Sequence, residues 1–295
     1  MERLPAACPL LPMCDSLDRV KRPAPIHVVD RFPALRVRLL ELLAGLSAED
    51  WGRSTAAPLW QVKDIVAHLL GGDIGILSRG RDAFRLPGPP IDRFDDLVAF
   101  INALNDEWVR AARRMSPRVL REMLAFTGRQ VEAYFASLDP FAMGGPVSWA
   151  GPEPAPVWLD TAREFTERWH HQQQIRDATG SPPLYDPYFL APVLDTFVRA
   201  LPHAFRGALA PQGTAVKLEI SGDAGGSWFL ERHQETWELR MEVDAPPAAE
   251  VTISQDTAWR LFTKGIDRGR ARSLATVRGD SNLVSPLFAT VAVIA

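Results

Sequence analysis

The hydrophobic period of this chain shifts near Gly207, and that shift constrains the fold more than any other feature. Before it, apolar residues recur every three or four positions, which is the spacing of helices that bury one face. After it, short runs alternate apolar and polar residues between glycines and prolines, which is typical of strands joined by turns. The sequence therefore predicts a mainly α N-terminal domain, a bundle of helices, followed by a smaller α+β domain.

The same pattern predicts the boundaries. Residues 1–28 are rich in proline and lack a period, so we expect an extended arm there; residues 29–207 form the helical domain and residues 208–295 the α+β domain. Helices are predicted at about 31–44, 58–70 (or on to 77), 94–115, 116–139, 159–179 and 189–201, with another near 254–262 and a last one from 283. Strands are predicted at about 216–220, 228–230, 237–241, 251–253 and 275–277. Residues 140–157, with several glycines and prolines, are predicted to be a long loop.

Charge and cysteine content exclude several classes of function. The 295 residues carry a formal net charge of -3, which argues against nucleic acid as the main partner. No run approaches the roughly 18 apolar residues of a membrane span, so we expect no membrane partner. The two cysteines, Cys8 and Cys14, can pair with each other, but free thiols in a reducing cytosol are the simpler interpretation. The sequence thus predicts a cytoplasmic protein, either a monomer or a homodimer.

The strongest candidate for chemistry lies on the helix predicted at 159–179. Glu167 and His171 are four residues apart, so their side chains share one helix face. His68 lies on another apolar helix, where a free imidazole is awkward to bury, and it is the best candidate for a third ligand. Two histidines and one carboxylate suit Zn2+ and also nickel, manganese and ferrous iron, because ligand type alone does not choose among them.

Ordinary structural roles stay open for the same residues. A histidine on an apolar helix face can be a core residue bonded to a backbone carbonyl, and a glutamate and histidine four apart can be a solvated pair. His170 points away from His171, and we expect it on the surface or behind the ligands. The glutamines at 172–174 are either a polar face or groups that orient the ligands.

Two motifs of the helical domain resemble a known family. The first is a Trp, a Val-x-Asp and a His in an apolar helix, matched by Trp60, Val62, Asp64 and His68. The second is Glu-x-x-x-His, then a polar stretch and Ala-x-Gly, matched by Glu167, His171, Ala178 and Gly180. Together they resemble the N-terminal domain of the mycothiol-dependent maleylpyruvate isomerase family, part of the larger DinB-like group of metal-binding four-helix bundles. The resemblance covers roughly residues 30–185, and the chain departs from it at Gln174, where many relatives carry Asp.

This resemblance implies a metal-dependent enzyme. Its metal ligands would be His68, Glu167 and His171, and its cofactors Zn2+ or another divalent metal and a low-molecular-weight thiol such as mycothiol. A metal lowers the pKa of a bound thiol. In the isomerase the thiolate adds to a conjugated double bond, the bond rotates and the thiol leaves, whereas related transferases keep the adduct. The thiol must come from a cofactor, because both cysteines lie in the predicted arm.

The resemblance also nominates contacts for the substrate. Trp60 belongs to the first motif, and Asn105 falls where such proteins often carry an Asn in the third helix. The isomerases are thought to use an arginine of the C-terminal domain, which suits bidentate binding of a carboxylate. Arginine candidates here are Arg168, Arg176, Arg260 and Arg272, and we predict Arg260. The loop at 140–157, with Trp149 and Trp158, is either a lid over the site or a surface connector.

The C-terminal domain resembles a second family. Its Thr257-Ala-Trp259-Arg260 segment, then Val277-Arg-Gly279-Asp280 and an apolar end, resembles a sterol-carrier-protein-like domain, which implies a curved sheet against helices. We interpret its aromatic residues as core rather than as a lipid site. A rival function is therefore a non-catalytic metal-containing binding or stress protein that carries a small apolar ligand in this domain.

Overall fold

The computed structural model describes residues 22–85 and 87–293. The prediction for the first 21 residues of the arm, and with it both cysteines, lies outside this range. Residues 22–28 form neither helix nor strand, and Ile26 and Val28 within them are buried against the rest of the molecule. This part of the arm therefore packs on the protein.

The N-terminal part is helical, as the periodicity predicts. Its helices are α1 (Phe32–Gly45), α2 (Val62–Gly75), α3 (Phe94–Ala112), α4 (Pro117–Ala136), α5 (Val157–Thr179), α6 (Pro187–Val198) and the short α7 (Leu201–Ala204). Short 3-10 helices cover Val29–Arg31 and Asp50–Gly52, and α2 continues as a π-helix over Ile76–Arg81. Helices α1, α2, α4 and α5 pack around a common interior, with α3 against α2.

The C-terminal part is a five-stranded sheet covered by helices. Its strands are β3 (Ala215–Ser221), β4 (Gly226–His233), β5 (Thr236–Arg240), β6 (Ala249–Ser254) and β7 (Thr276–Gly279), in the spatial order β5-β4-β3-β6-β7. Only β3 and β6 run parallel among the neighbouring pairs. The helices here are α8 (Gln255–Phe262), α9 (Arg268–Ser273) and α10 (Ser285–Ala289). The predicted fold class, a helical bundle followed by a smaller α+β part, is confirmed.

Two hydrophobic clusters hold these parts together. The smaller cluster joins α1, α2, the end of α3 and the start of α4. The larger runs from α5 through α6 and α8 into the sheet, so the helical part and the sheet share buried contacts. The buried core does not separate the two parts, so the domain boundaries 29–207 and 208–295 stay a prediction. No helix within residues 22–85 and 87–293 is both long and apolar enough to span a bilayer.

Some predicted elements differ from the structure. The long loop predicted at 140–157 contains a small hairpin that was not predicted, β1 (Met143–Pro146) paired with β2 (Pro154–Pro156). Helix α2 begins at Val62 rather than near Pro58, because the residues just before Gln61 form a turn. The helix starts at the capping box of Gln61 and Asp64. The predicted terminal helix is only the five residues of α10, and α9 was not predicted at all.

Candidate metal centre

Helix α2 is held in a fixed rotation by its neighbours, and this places His68. At its start, Gln61 and Asp64 form a reciprocal capping box, and Asp64 also accepts two bonds from the Arg113 guanidinium, at 2.9 and 3.0 Å. The Trp108 indole of α3 donates to the Ala67 carbonyl at 2.7 Å. It lies so close to Gly71 that a Cβ there would be 2.5 Å from the ring. With α3 on this side, His68 is turned toward α5.

Helix α5 carries the other two candidate ligands and is the central helix of the bundle. Seven consecutive residues from Trp169 to Ile175 are buried, which no one-sided amphipathic helix allows. The helix ends at Gly180, whose φ of 67° permits the left-handed cap. Glu167 and His171 lie one turn apart on the face that meets α2.

The three predicted ligands meet although 99 residues separate the first two. Glu167 Oε1 lies 3.1 Å from His68 Nε2 and 2.9 Å from His171 Nε2. One ligand atom from each residue falls within 4.8 Å of the others, the only such group of three among the described residues. The Glu167 side chain is 32% exposed and the imidazoles of His68 and His171 only 13% and 9%. The group is therefore buried on the helix side and open on one side to solvent.

Gln174 fixes the orientation of the His171 ring. Its Oε1 lies 2.8 Å from His171 Nδ1 and accepts the proton of that nitrogen. With Nδ1–H bound in this way, Nε2 faces the Glu167 carboxylate either with a lone pair or with a second proton. A cation and a proton therefore compete for the same position between nitrogen and oxygen. This is the arrangement in which a neighbouring amide sets the tautomer of a metal-binding histidine.

The pKa shifts in the group favour the metal-binding form of two residues, the ionised Glu167 carboxylate and the neutral His68 imidazole. Burial alone would raise the pKa of Glu167, but the charge and hydrogen bond of His171 and the hydrogen bond from His68 hold it well below its usual value. Burial lowers the pKa of His68, so this imidazole is neutral. Burial opposes protonation of His171 as well, yet the charge and hydrogen bond of Glu167 raise its pKa. A divalent cation fits this set of donors, which are a carboxylate and two imidazoles.

Two aromatic rings flank the group. Trp60 packs on the His68 ring with centroids 4.9 Å apart, so this predicted substrate contact does lie beside a candidate ligand. His170 is buried, not on the surface, and its ring lies 5.1 Å from that of His171 and 6.1 Å from that of Trp259 on α8. Burial lowers the pKa of His170 to about 3, and its Nδ1 has no hydrogen-bond partner in the described structure. The surface alternative for His170 was therefore wrong.

The other predicted substrate contacts lie further from the group. Asn105 is half-buried on α3, one turn before Trp108, and its amide forms no hydrogen bond within the described residues. Arg260 donates to Asp177 at 2.7 Å and to Asp256 at 3.0 Å, so its guanidinium would have to leave a carboxylate to reach a substrate. The structure does not bring either residue into contact with the candidate ligands, and their roles stay predictions.

The remaining arginine candidates are engaged elsewhere. Arg168 is buried between Asp73 and Glu164, at 2.8 and 2.7 Å. Arg176 donates to the Pro182 carbonyl and to the Gln172 side chain. Arg272 lies over the Phe288 ring of α10, 5.4 Å from its centroid.

A buried ionic network behind the ligands was not predicted. Asp73 accepts from Arg168 and from Thr127 of α4, both at 2.8 Å, and Glu164 accepts from Arg168 and Arg163. Burial raises the pKa of Asp73 although Arg168 opposes the shift. The network ties α2, α4 and α5 together beside the candidate ligands. Its one visible sequence signal was the spacing of Glu164 and Arg168, four residues apart on one helix.

The hairpin at 140–157 is not placed as a lid. Trp149 is buried in the larger hydrophobic cluster, and Arg199 lies over the Trp158 ring at 5.5 Å. The hairpin joins α5 at Val157, ten residues before Glu167, which is roughly 15 Å along the helix axis. These contacts favour the connector alternative over the lid.

Comparison with known proteins agrees with this architecture. A family model described as the mycothiol maleylpyruvate isomerase N-terminal domain matches residues 32–176. No curated protein matches the chain significantly. Among solved structures, mycothiol-dependent maleylpyruvate isomerase is similar at 10% identity with a TM-score of 0.50, covering 79% of this chain and 86% of that chain. A mutant of the same enzyme scores 0.52 at 10% identity, covering 84% and 90%.

A sterol carrier protein from Yarrowia lipolytica covers 46% of this chain and 87% of its own at 12% identity. Its TM-score of 0.23 is too low to support a shared fold, so the resemblance of the C-terminal part stays a prediction. The isomerase structures, by contrast, match helices and sheet together. Residues 32–176, which contain all three candidate ligands, match the family model of the mycothiol maleylpyruvate isomerase N-terminal domain.

Proposed function

We propose that the chain is a metal-dependent enzyme that uses a low-molecular-weight thiol such as mycothiol. The thiol would either isomerise a small electrophile or be transferred to it through its sulfur. His68, Glu167 and His171 would hold one divalent cation, with zinc as the first candidate. The observation that carries this proposal is the meeting of two Nε2 atoms and one carboxylate oxygen within 4.8 Å. The match of residues 32–176 to a family model named for a mycothiol-dependent isomerase supports the reaction type.

The donor set supports a catalytic rather than a closed structural site. Structural zinc is usually held by four protein ligands, whereas catalytic zinc has three and keeps one position for water or substrate. The group here has three donors, and its most exposed member, Glu167, lies toward solvent. His170, the nearest further imidazole, is not part of the group.

The protein's own residues would hold and shape the site. When bound, a divalent cation lowers the pKa of a thiol that ligates it, which makes a nucleophile available at neutral pH. Gln174 would orient His171, and Trp60, which packs on the His68 ring, would shield that side of the site from water. No cysteine occurs between residues 22 and 295, so the reacting thiol would be supplied by a cofactor. The substrate would carry a carboxylate, and Arg260 is the candidate residue to bind it.

Metal analysis tests the first half of the proposal. Purified wild type should contain about one equivalent of a divalent metal, and His171→Ala should lose it. His233→Ala is the matched control, because His233 is exposed on β4 and outside the candidate group. Wild type without metal, or a His171→Ala variant that keeps its metal, would overturn the assignment.

A turnover assay tests the second half. The metal-loaded protein is mixed with maleylpyruvate or other conjugated electrophiles, with and without mycothiol, and the loss of substrate absorbance is followed. Thiol-dependent turnover in wild type and none in His171→Ala is the expected result. Retained metal without turnover of any electrophile would instead favour the non-catalytic metal-binding alternative.

A further inference from the structure

Solvent reaches the central helix α5 along a narrow stripe beside the candidate ligands. Within residues 161–175 only four are not fully buried, and these are Arg163, Glu164, Glu167 and Arg168. The side chains of Glu164 and Arg168 are 13% and 15% exposed, whereas those of Arg163 and Glu167 are 27% and 32% exposed. Arg163 lies four residues before Glu167, so the two side chains share one helix face, with Cβ atoms about 5–6 Å apart. The opening beside Glu167 is therefore bordered by the Arg163 side chain.

Helix α2 leaves open space on the same side of the ligands. Gly72 lies one turn after His68, so it shares the helix face that His68 turns toward α5. It is nevertheless exposed, and a Cβ there would meet nothing within 4 Å. The first half of α2 shares a hydrophobic cluster with Ile175, near the end of α5, whereas Leu77, just past the end of α2, shares the other cluster with the first half of α5. The two helices therefore run in opposite directions, which puts the open space at Gly72 on the Arg163 side of His68.

Two carboxylates hold the Arg163 guanidinium in place and leave one of its nitrogens open. Nε donates to Asp160 at 2.8 Å, and Nη2 donates to Glu164. Nη1 forms no hydrogen bond with any residue that the structure describes and is not buried, so it reaches solvent. Burial alone would lower the pKa of Arg163, but the charges of Glu164 and Asp160, the hydrogen bond to Asp160 and the charge of Glu167 raise it. A charged guanidinium in a fixed orientation is well suited to bind a carboxylate.

The place of Arg163 on α5 distinguishes it from the other arginines near the site. Arg168 is turned to the interior of the bundle, where it lies between Asp73 and Glu164. Arg260 lies on α8 and donates to one aspartate of that helix and to another near the end of α5. Of these three arginines, only Arg163 lies one turn from a candidate ligand on the stripe that solvent reaches.

We propose that Arg163 binds a carboxylate of the small molecule that occupies the metal centre, in the open space beside Gly72. The inference rests on the proposed function and assigns the carboxylate to Arg163 in place of Arg260. Nη1 donates to the carboxylate, while Nε and Nη2 stay with their own partners. One helical turn, about 5.4 Å, separates Arg163 from Glu167 along α5, and a molecule of a few carbons spans that distance. The carboxylate belongs either to the electrophile or to the thiol, which different probes distinguish.

Binding of small probes to the zinc-loaded protein tests this role without turnover. Mercaptoacetate carries a thiol and a carboxylate, 2-mercaptoethanol carries the thiol without the carboxylate, and maleate carries carboxylates on a conjugated double bond. Calorimetric titrations compare wild type with Arg163→Gln, after the zinc content of each has been measured. Arg163→Gln should keep its zinc and its affinity for 2-mercaptoethanol. It should bind mercaptoacetate, or maleate in the presence of saturating 2-mercaptoethanol, about tenfold or more weakly than wild type.

Two further variants complete the comparison. Arg163→Lys keeps the charge beside Glu164 but not the planar fork, so it should retain zinc and still bind the carboxylate probe several-fold more weakly than wild type. Arg118→Gln, at an exposed arginine of α4 paired with Glu122, is the matched control and should bind every probe like wild type. A loss for maleate assigns the carboxylate to the electrophile, and a loss for mercaptoacetate alone assigns it to the thiol.

Several results would overturn the role of Arg163. One is wild-type affinity of zinc-loaded Arg163→Gln for both carboxylate probes, and another is wild type that binds neither probe. An equal loss for mercaptoacetate and 2-mercaptoethanol would show that Arg163 acts only on the structure of the site. Weaker binding in Arg260→Gln but not in Arg163→Gln would return the carboxylate to Arg260. Wild type without zinc would defeat the proposed function itself, which is distinct from a zinc-loaded protein in which Arg163 has no effect.

Discussion

Gln174→Leu tests whether the amide behind His171 supports metal binding. The Gln174 oxygen accepts the His171 Nδ1 proton at 2.8 Å, and the side chain is only 8% exposed. Leucine has a similar volume but cannot accept this bond, which leaves a buried donor without a partner. Such a loss costs about 1–3 kcal/mol, and partners of this kind typically change metal affinity by about 10- to 100-fold. We therefore expect zinc affinity to fall by one to two orders of magnitude.

Competition with a chromophoric chelator at neutral pH measures this change directly. Gln174→Glu keeps an acceptor at the same place, so its zinc affinity should equal or exceed that of wild type. Gln212→Leu, in an exposed turn before β3, is the control and should bind zinc like wild type. If Gln174→Leu competes with the chelator as well as wild type does, the amide does not orient His171 for a metal. An equal loss in Gln212→Leu would point to a general effect on stability.

Three other outcomes follow from the packing and charges. Gly71→Ala should lower the free energy of unfolding by about 1–3 kcal/mol in urea denaturation, because its Cβ would lie 2.5 Å from the Trp108 indole of α3. Gly72→Ala, whose Cβ would have nothing within 4 Å, should be neutral or stabilising. Equal effects of the two substitutions would contradict this reasoning. Zinc affinity should fall as the pH falls through the raised pKa of His171, because a proton on Nε2 competes with the cation; equilibrium binding that does not change with pH would refute it. Arg168→Leu should cost about 3–5 kcal/mol of unfolding free energy, because it leaves the buried Asp73 carboxylate without its cation and Glu164 with Arg163 alone, and a loss under about 1 kcal/mol would show that the network is dispensable.

Local pattern was a good guide to the elements. The strands β3 and β4 lie where alternation predicted them, and α5 ends at Gly180 as its cap residue predicts. The hairpin β1–β2 was not predicted because glycine and proline have little preference for strands, so its strands depend on pairing and on tertiary packing. Helix α9 was not predicted because it has only six residues and is rich in arginine, although Asp267 caps its start.

Burial of α5 shows the limit of an argument from polarity. His170 and the glutamines at 172–174 look like a solvated face in the sequence, yet all are buried. The three glutamines are tolerated inside because the fold supplies partners: Gln172 donates to the Leu35 carbonyl, Gln173 accepts from the Leu184 amide, and Gln174 accepts from the His171 ring. A polar side chain is expected to be exposed only where the fold offers it no hydrogen-bond partner. The partners of Gln172 and Gln173 come from distant segments, which the local sequence does not reveal.

What the sequence determined by itself was local: the positions of helices and strands, and the pairing of Glu167 with His171 on one helix face. These follow from backbone periods of 3.6 and 2, which a few neighbouring residues fix. Tertiary structure decided that His68 meets this pair and that Arg168 joins Asp73 instead of facing the site. Each residue along a helix turns its side chain by about 100°, so only the rotation set by packing, here by Trp108 against Gly71, aims His68 at Glu167.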